Sequence, residues 1–201
     1  MTESRLFHRR TFLQTAAAAV AGLATGIKPA RATSGVRIGE GSAAYVLDEA
    51  WGQLPAGMTW SWGCGIVVDA RDRVYVTSRS TNPCVAVFGP DGALLETWTK
   101  DLPRRLGYGP DQFAATAHGL YWSQEGDQEF LYWTENVHAP KGGPRLGGRV
   151  IKTDLDGNVL FRLGNVEKES DTARPFDFTN PTDVAVAPNG DIYVVDGYGS
   201  Q

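Results

Sequence analysis

The strongest structural signal is Pro181-Thr182-Asp183-Val184-Ala185-Val186-Ala187-Pro188-Asn189-Gly190-Asp191-Ile192-Tyr193-Val194-Val195-Asp196-Gly197-Tyr198. Its two apolar runs, 184–187 and 192–195, are rich in the β-branched and aromatic residues that favour strands. Between them, Pro188-Asn189-Gly190-Asp191 is typical of a hairpin turn, because Pro presets φ and Asn and Gly tolerate positive φ. The stretch therefore predicts a β-hairpin that leads into a Gly-flanked loop presenting Tyr198.

Two earlier segments repeat this unit at greater length. The segment 65–98 has four apolar runs, which predict strands at 66–69, 73–77, 84–88 and 93–98. The segment 117–164 predicts strands at 119–122, 130–134, 148–153 and 158–163. Four short strands joined by polar turns are typical of one propeller blade.

The repeats predict an all-β protein of the β-propeller class. We place the blades at about 58–100, 113–164 and 181–201, after a lead-in at 33–57. The third blade ends after two predicted strands. A propeller has about four to eight blades of about four strands each. We therefore expect the chain to be a fragment of a longer protein, with about two and a half blades; the alternative is a complete, open solenoid-like piece.

Composition and charge agree with this class. The chain contains 24 glycines and 11 prolines, as a turn-rich protein does, and its net charge is −4. Residues 1–32 hold five basic residues and one acidic residue, so the remainder has 14 basic and 22 acidic residues and a net charge of −8. An acidic chain argues against nucleic acid as a partner.

The first 32 residues have the layout of a secretory signal. Arg9 and Arg10 precede an Ala-rich apolar run at 15–27, and Ala30-Arg31-Ala32 offers a small-x-small cleavage site. The paired arginines resemble the twin-arginine export motif. The alternative is a membrane anchor, but the run is short of the ~20 apolar residues that a span needs. We expect a periplasmic or secreted protein that begins at Thr33 and has no stable membrane span.

Three polar residues are candidates for chemistry. His118 precedes the predicted inner strand of the second blade, and imidazole is a common metal ligand. Arg79 follows the second strand of the first blade, and its planar guanidinium suits a carboxylate. Tyr198 follows the second strand of the third blade and could act as a base if a cation lowered its pKa. The alternatives are a structural histidine, a solvated loop arginine and a packing aromatic.

Three motifs resemble one family of six-bladed NHL-repeat propellers, peptidyl-α-hydroxyglycine α-amidating lyase (peptidylamidoglycolate lyase) and its bacterial relatives. They are His118-Gly119-Leu120, the run Pro181–Val186, and Asp196-Gly197-Tyr198. The resemblance covers about residues 58–201 and implies a propeller of six blades. It also implies a carbon–nitrogen lyase that releases glyoxylate from a carbinolamide of a peptide or small molecule.

The resemblance also implies a set of site residues. His118 would be one of three zinc-binding histidines, Arg79 the substrate-binding arginine and Tyr198 the catalytic base. A channel calcium would bind the backbone carbonyls of Ile66 and Leu120. The other two zinc histidines and a second arginine of the family belong to blades beyond Gln201, and Gly199 stands where vertebrate members have a cysteine.

Two other functions remain open from the residues alone. An NHL propeller without catalysis would bind a periplasmic ligand or protein on one face, since fold alone does not determine function. A calcium-dependent lactonase-type hydrolase would require acidic channel ligands, whereas the inner-strand starts offer His118 and Thr182-Asp183.

Smaller features complete the sequence interpretation. We expect His138 to be a loop residue and Trp60 and Trp62 to pack the first blade. A Cys64–Cys84 disulfide is compatible with export but is not specified by the spacing. The sequence predicts no oligomeric state.

Overall fold

The fold is that of a computed structural model, which describes residues 35–80, 84–98, 101–106, 117–136, 148–164 and 178–197, without the side chains of Cys64 and Pro103. The chain divides into two compact units, 1–48 and 49–201. Several expectations fall outside the described residues: the export signal, His138 and Tyr198. The side chain that a Cys64–Cys84 disulfide would need lies outside them as well.

The described part of the first unit is a small hairpin. Strand β1 (Arg37–Ile38) pairs antiparallel with β2 (Tyr45–Val46), and a 3₁₀ turn (Gly41–Ala43) joins them. Gly39 has a φ of +83°, and a Cβ there would lie 2.2 Å from the Ala43 carbonyl oxygen, so this turn requires glycine.

The second unit begins with a four-stranded antiparallel sheet. Its strands are β3 (Gly63–Val68), β4 (Val74–Ser78), β5 (Val85–Phe88) and β6 (Leu94–Trp98), in the spatial order of the sequence. Each run of β-branched residues predicted as a strand forms one, because the polar turns between the runs are too short for any connection other than a hairpin. This meander is the first blade.

The second blade repeats the meander. Helix α1 (Leu102–Arg105) precedes it, and its strands are β7 (Ala117–Glu125), β8 (Gln128–Glu135), β9 (Arg149–Thr153) and β10 (Val159–Gly164). Helix α1 lies between the first two predicted blades, where the sequence analysis predicts no element. Its formation has a physical reason: Leu102, its first residue, and Leu106, which follows it, are buried in the core of the first two blades.

The third sheet is the hairpin with which the sequence analysis began. Strand β11 (Asp183–Val186) pairs antiparallel with β12 (Ile192–Val195) over four residue pairs. The Ala187 amide donates to the Asp191 carbonyl (2.9 Å), and Gly190 has a φ of +90°. The turn prediction is therefore confirmed.

The first strands of the three sheets lie side by side. A Cβ on Gly65 of β3 would lie 2.6 Å from the Leu120 Cβ of β7, and a Cβ on Gly119 of β7 would lie 2.7 Å from the Asp183 Cα of β11. Strand β7 thus lies between β3 and β11, so Ile66, Leu120 and Val184 lie on three neighbouring inner strands. Meanders with adjacent inner strands are propeller blades, so the β-propeller class is confirmed.

Apolar side chains fill the spaces between neighbouring blades. One cluster joins the first two blades and includes Tyr75, Trp98, Leu131 and Trp133. The Tyr75 hydroxyl also crosses between these blades and donates to the Leu155 carbonyl (3.3 Å). A second cluster joins the second and third sheets. Its buried members are Tyr132, Val150, Val184 and Val186.

Candidate functional site

The candidate residues lie at one end of the blades. Gly63 pairs with Ser78, Ala117 with Glu135 and Asp183 with Val195, so each inner strand begins where its neighbouring strand ends. We call this region the polar end and define it by Trp62, Arg79, His118, Asn136, Asn180, Thr182 and Asp196. Arg79 and His118 therefore lie at the same end of adjacent blades.

His118 is held against the third sheet. Its ring Nδ1 lies 2.7 Å from the Thr182 carbonyl oxygen, and the Gly119 amide donates to the same oxygen at 3.0 Å. Since a carbonyl only accepts, Nδ1 carries the proton, and in a neutral ring Nε2 then carries the lone pair. A backbone partner of this kind orients many metal-binding histidines.

The backbone around His118 is also tied to the first blade. The Thr77 hydroxyl donates to the His118 carbonyl (2.7 Å), and the Thr134 hydroxyl accepts from the Gly119 amide (2.9 Å). Strand β7 begins at Ala117, two residues before the predicted start, so His118 lies within a strand and not ahead of it. These bonds fix the His118–Gly119 peptide group, directly after the residue that carries the imidazole.

Arg79 reaches from the first blade to the second. Its Nη2 donates to the Asn136 carbonyl (2.8 Å) and to the Asn136 Oδ1 (3.2 Å). Asn136 in turn donates through Nδ2 to the Asn180 carbonyl (3.4 Å). Arg79 is half-buried and held by specific acceptors, so the alternative of a loosely solvated loop arginine does not describe it.

Asp196 orders the third sheet at the polar end. Its carboxylate accepts from the Thr179 amide (2.7 Å) and from the Asn180 amide (2.5 Å). The Thr182 amide and hydroxyl both donate to the Val195 carbonyl, at 2.7 and 3.1 Å. Asp196 and Gly197 directly precede Tyr198 in the sequence, and Tyr198 itself lies outside the described residues.

A buried ion pair supports the position of Asn136. Arg149 Nε lies 2.5 Å from Glu135 Oε2, and Arg149 Nη1 donates to the Leu106 carbonyl (3.0 Å). Both side chains are almost completely buried, so removing one partner would leave an uncompensated charge. The pair fixes the end of β8. Asn136 directly follows this end and accepts the hydrogen bonds from Arg79.

A second ion pair lies at the opposite end of the second blade. Lys152 Nζ is 2.6 Å from Glu125 Oε2 and 3.9 Å from the centre of the Phe130 ring. Burial alone would raise the pKa of Glu125, but hydrogen bonds from Lys152 and Tyr132 outweigh it and lower this pKa. Burial alone would lower the pKa of Lys152, but its bond to Glu125 raises it. We assign this cluster to stability.

The metal expectations remain predictions. Within the described ranges, no three His, Cys, Asp or Glu residues are grouped so as to hold a metal ion. With Nδ1 bonded to the Thr182 carbonyl, a neutral His118 ring would present its lone pair at Nε2, the atom through which a zinc ligand would bind. Ile66 and Leu120 lie on neighbouring inner strands, as a calcium site shared by their carbonyls would require.

Sequence reasoning missed three residues of the polar end. Asn136 and Thr182 act through bonds to Arg79 and His118 that no local pattern predicts. The prediction that Trp62 packs the first blade is wrong: its side chain is 73% exposed, and the Arg79 guanidinium carbon lies 5.8 Å from its ring centre. Trp60 does pack, against Phe88 at 6.1 Å between ring centres.

No helix in the described part of the chain has the length and apolar character needed to span a membrane.

Comparisons with known proteins match the repeat. The NHL repeat family matches residues 178–201, the segment of the third sheet. NHL repeat-containing protein 3 of Homo sapiens is 32% identical over 158 residues, which are 77% of this chain and 40% of that protein. The Mus musculus protein of the same name is 29% identical over 156 residues, with the same coverage of both chains. The chain thus spans about two fifths of the length of these curated relatives.

Among solved structures, the chain is similar to two crystal structures of virginiamycin B lyase from Staphylococcus aureus. The selenomethionine-substituted form has a TM-score of 0.41 and 19% identity, covering 67% of this chain and 34% of that one. An inactive variant with quinupristin has a TM-score of 0.38 and 20% identity, covering 66% and 33%. The repeat match and the meander sheets together give the conclusion that this chain carries an NHL repeat at residues 178–201 and that its sheets are blades of β-propeller type.

Proposed function

We propose that the polar end belongs to a lyase that cleaves peptidyl-α-hydroxyglycine-type carbinolamides. The observation that carries the proposal is the His118 Nδ1 bond to the Thr182 carbonyl, 2.7 Å long, at the same end of the blades as Arg79. The polar end thus carries a histidine whose Nδ1 partner suits metal binding at Nε2 and a cation that suits a carboxylate. An α-hydroxyglycine substrate presents a hydroxyl group and a carboxylate next to each other, which are the groups that such a pair would bind.

Arg79 would bind the substrate carboxylate. Its two bonds to Asn136 use Nη2 alone, and Nε and Nη1 donate to no residue within the described ranges. Both bidentate edges of a guanidinium include Nη2, so a carboxylate would accept a single charge-assisted hydrogen bond from Nε or from Nη1. Because Asn136 already fixes the guanidinium plane, little side-chain entropy would be lost on binding.

His118 would provide one zinc ligand through Nε2, with Nδ1 held by Thr182. Zinc bound there would act as a Lewis acid that increases the acidity of the substrate hydroxyl. The Thr182 carbonyl is itself fixed by the short bond between the Thr182 amide and Val195 (2.7 Å), so the ring has a rigid support. A calcium bound by the carbonyls of Ile66 and Leu120 is part of the same proposal.

Tyr198 would be the base. It takes the proton of the carbinol hydroxyl, the carbon–nitrogen bond breaks as the carbonyl of glyoxylate forms, and the amide nitrogen gains a proton. A phenol has an ordinary pKa of about 10, so it needs a nearby cation such as Arg79 to act near neutrality. Proton transfer by a positioned base contributes about 10²–10⁴ in rate.

The test measures glyoxylate release by the full-length natural protein from N-benzoyl-α-hydroxyglycine. We expect Tyr198→Phe to keep bound zinc but to lose at least about 10² in kcat. His118→Ala should lose much of the zinc, measured by elemental analysis. Tyr193→Phe, on β12 with an exposed side chain, is the matched control and should behave as wild type.

A wild-type protein that binds no zinc and releases no glyoxylate would contradict the proposal. The non-catalytic binding function would then replace it. Hydrolysis of a lactone by a calcium-loaded protein, without glyoxylate release from the carbinolamide, would instead favour the lactonase-type hydrolase.

We further propose that the protein acts in the periplasm or outside the cell after twin-arginine export and cleavage before Thr33. Arg9, Arg10 and Ala30-Arg31-Ala32 support this proposal. The twin-arginine route carries folded proteins, so a metal could be bound before export.

A further inference from the structure

We propose that Trp62 forms, beside Arg79, a subsite for the apolar or aromatic acyl group of a carboxylate ligand. For the identity of the substrate, this inference rests on the proposed function. Its binding measurement does not depend on turnover, so the two can fail separately.

The exposure of Trp62 is the first observation. Its side chain is 73% exposed, whereas Trp60, two residues earlier, packs against Phe88. Scattered exposed apolar residues are ordinary, but an exposed indole beside a fixed cation is an amphipathic contact surface of the kind that ligand sites use. The two tryptophans thus have different environments despite their proximity in the sequence.

The second observation is that Trp62 and Arg79 are held together. The Arg79 amide donates to the Trp62 carbonyl (2.9 Å), and the guanidinium carbon lies 5.8 Å from the indole centre. Asn136 fixes the guanidinium from the other side through Nη2. The cation and the ring therefore present a charged contact and an apolar contact next to each other.

This arrangement matches the dimensions of an N-acylglycine. Its carboxylate carbon and the first carbon of its acyl substituent are about 5 Å apart in the extended form. This separation is close to the 5.8 Å between the guanidinium carbon and the ring centre. A ligand whose carboxylate pairs with Arg79 can therefore place a phenyl group against Trp62, whereas an acetyl group offers only a methyl.

The test is calorimetric titration of the full-length natural protein with N-benzoylglycine and N-acetylglycine. Neither compound carries the carbinol hydroxyl, so neither is cleaved. We expect wild type to bind the benzoyl compound about tenfold more tightly, from the aromatic contact and the larger apolar area. Trp62→Ala should reduce this ratio to within about twofold while leaving N-acetylglycine binding nearly unchanged.

Two further variants separate the roles of the ring and the cation. Arg79→Gln should weaken both ligands, because both carry the carboxylate. Tyr193→Ala removes another exposed aromatic side chain, on β12 of the third sheet, and should leave the ratio at its wild-type value. Trp62→Phe keeps an aromatic face and should restore most of the preference, which a general disturbance of the fold would not do.

The inference is overturned if wild type shows no preference for the benzoyl compound, or if Trp62→Ala keeps it. If Trp62→Ala shows an altered thermal midpoint, Trp62→Phe is compared with Trp62→Leu instead. Equal ratios of benzoyl to acetyl affinity in these two variants would overturn the inference. A wild-type preference that depends on Trp62, without glyoxylate release from the hydroxylated substrate, supports the subsite and contradicts only the proposed reaction.

Discussion

Gly119 controls how closely the second and third sheets approach, and Gly119→Ala tests this directly. A Cβ at this position would lie 2.5 Å from both Asp183 Oδ1 and the Thr182 carbonyl oxygen, and 2.7 Å from the Asp183 Cα. Two of these three atoms are backbone, so no side-chain rotation relieves the clash. Strands β7 and β11 must move apart.

The magnitude follows from the required movement. Ordinary van der Waals contact begins at 3.4 Å, so the strands must separate by about 0.9 Å. The bond from the Gly119 amide to the Thr182 carbonyl, now 3.0 Å, would lengthen to about 3.9 Å and be lost. Overpacking costs about 1–3 kcal/mol and the lost bond about 1 kcal/mol, so we expect a destabilisation of about 2–4 kcal/mol.

The assay is urea unfolding of the full-length natural protein, with Gly63→Ala as the matched control. Gly63 also lies at the polar end of an inner strand, has no positive φ, and a Cβ there meets no atom within 4 Å. The control should change the free energy of unfolding by less than about 0.5 kcal/mol. Equal stabilities of the two variants would refute the close packing of β7 against β11. Because the Thr182 carbonyl also holds His118, Gly119→Ala should weaken zinc binding as well.

Three further predictions concern export and stability. Replacing Arg9 and Arg10 by Lys should leave the protein in the cytoplasm, as measured by cell fractionation; normal export would contradict the twin-arginine interpretation. Glu125→Gln should lower the melting temperature at pH 7. Because the pKa of Glu125 lies below its ordinary 4.5, this difference is complete above pH 4.5 and should shrink as the pH falls through the folded-state pKa; a constant difference would refute the ion-pair role. Asp69→Ala removes a buried carboxylate that accepts two amides and Arg73 Nε (2.7 Å), and should cost about 2–4 kcal/mol in urea unfolding; a cost below about 0.5 kcal/mol would contradict the network.

Strand existence was predictable because each strand is a local pattern. The runs at 74–78, 85–88 and 192–195 are β-branched, lie between polar turns and form strands at or within one residue of the predicted bounds. Helix α1 was not predictable in this way. It has four residues, and it is stabilised by the burial of Leu102 and Leu106 against distant strands. Its formation depends on tertiary packing and not on local propensity.

The environment of Trp62 was not predictable from composition. Trp60 and Trp62 have the same side chain and are two residues apart, so any local rule places them alike. The structure separates them because Trp60 meets Phe88, whereas Trp62 lies at the end of the blade beside Arg79. What distinguishes the two is the point at which β3 begins, one residue after Trp62.

The candidate site depends on the local repeat pattern of the sequence and on contacts between blades. The repeat pattern of the sequence aligns Ile66, Leu120 and Val184, which puts Cys64, His118 and Thr182 two residues earlier in three successive repeats. That alignment can be deduced from sequence. Of the three aligned residues, only His118 has an imidazole. The bond from His118 to Thr182 cannot be deduced, since it exists only because Gly119 lets two strand backbones meet without an intervening Cβ. A glycine that follows a candidate ligand in an inner strand is thus a physical reason to expect that ligand's backbone partner in the next blade, and the loss of zinc in Gly119→Ala would test this reasoning in the full-length protein.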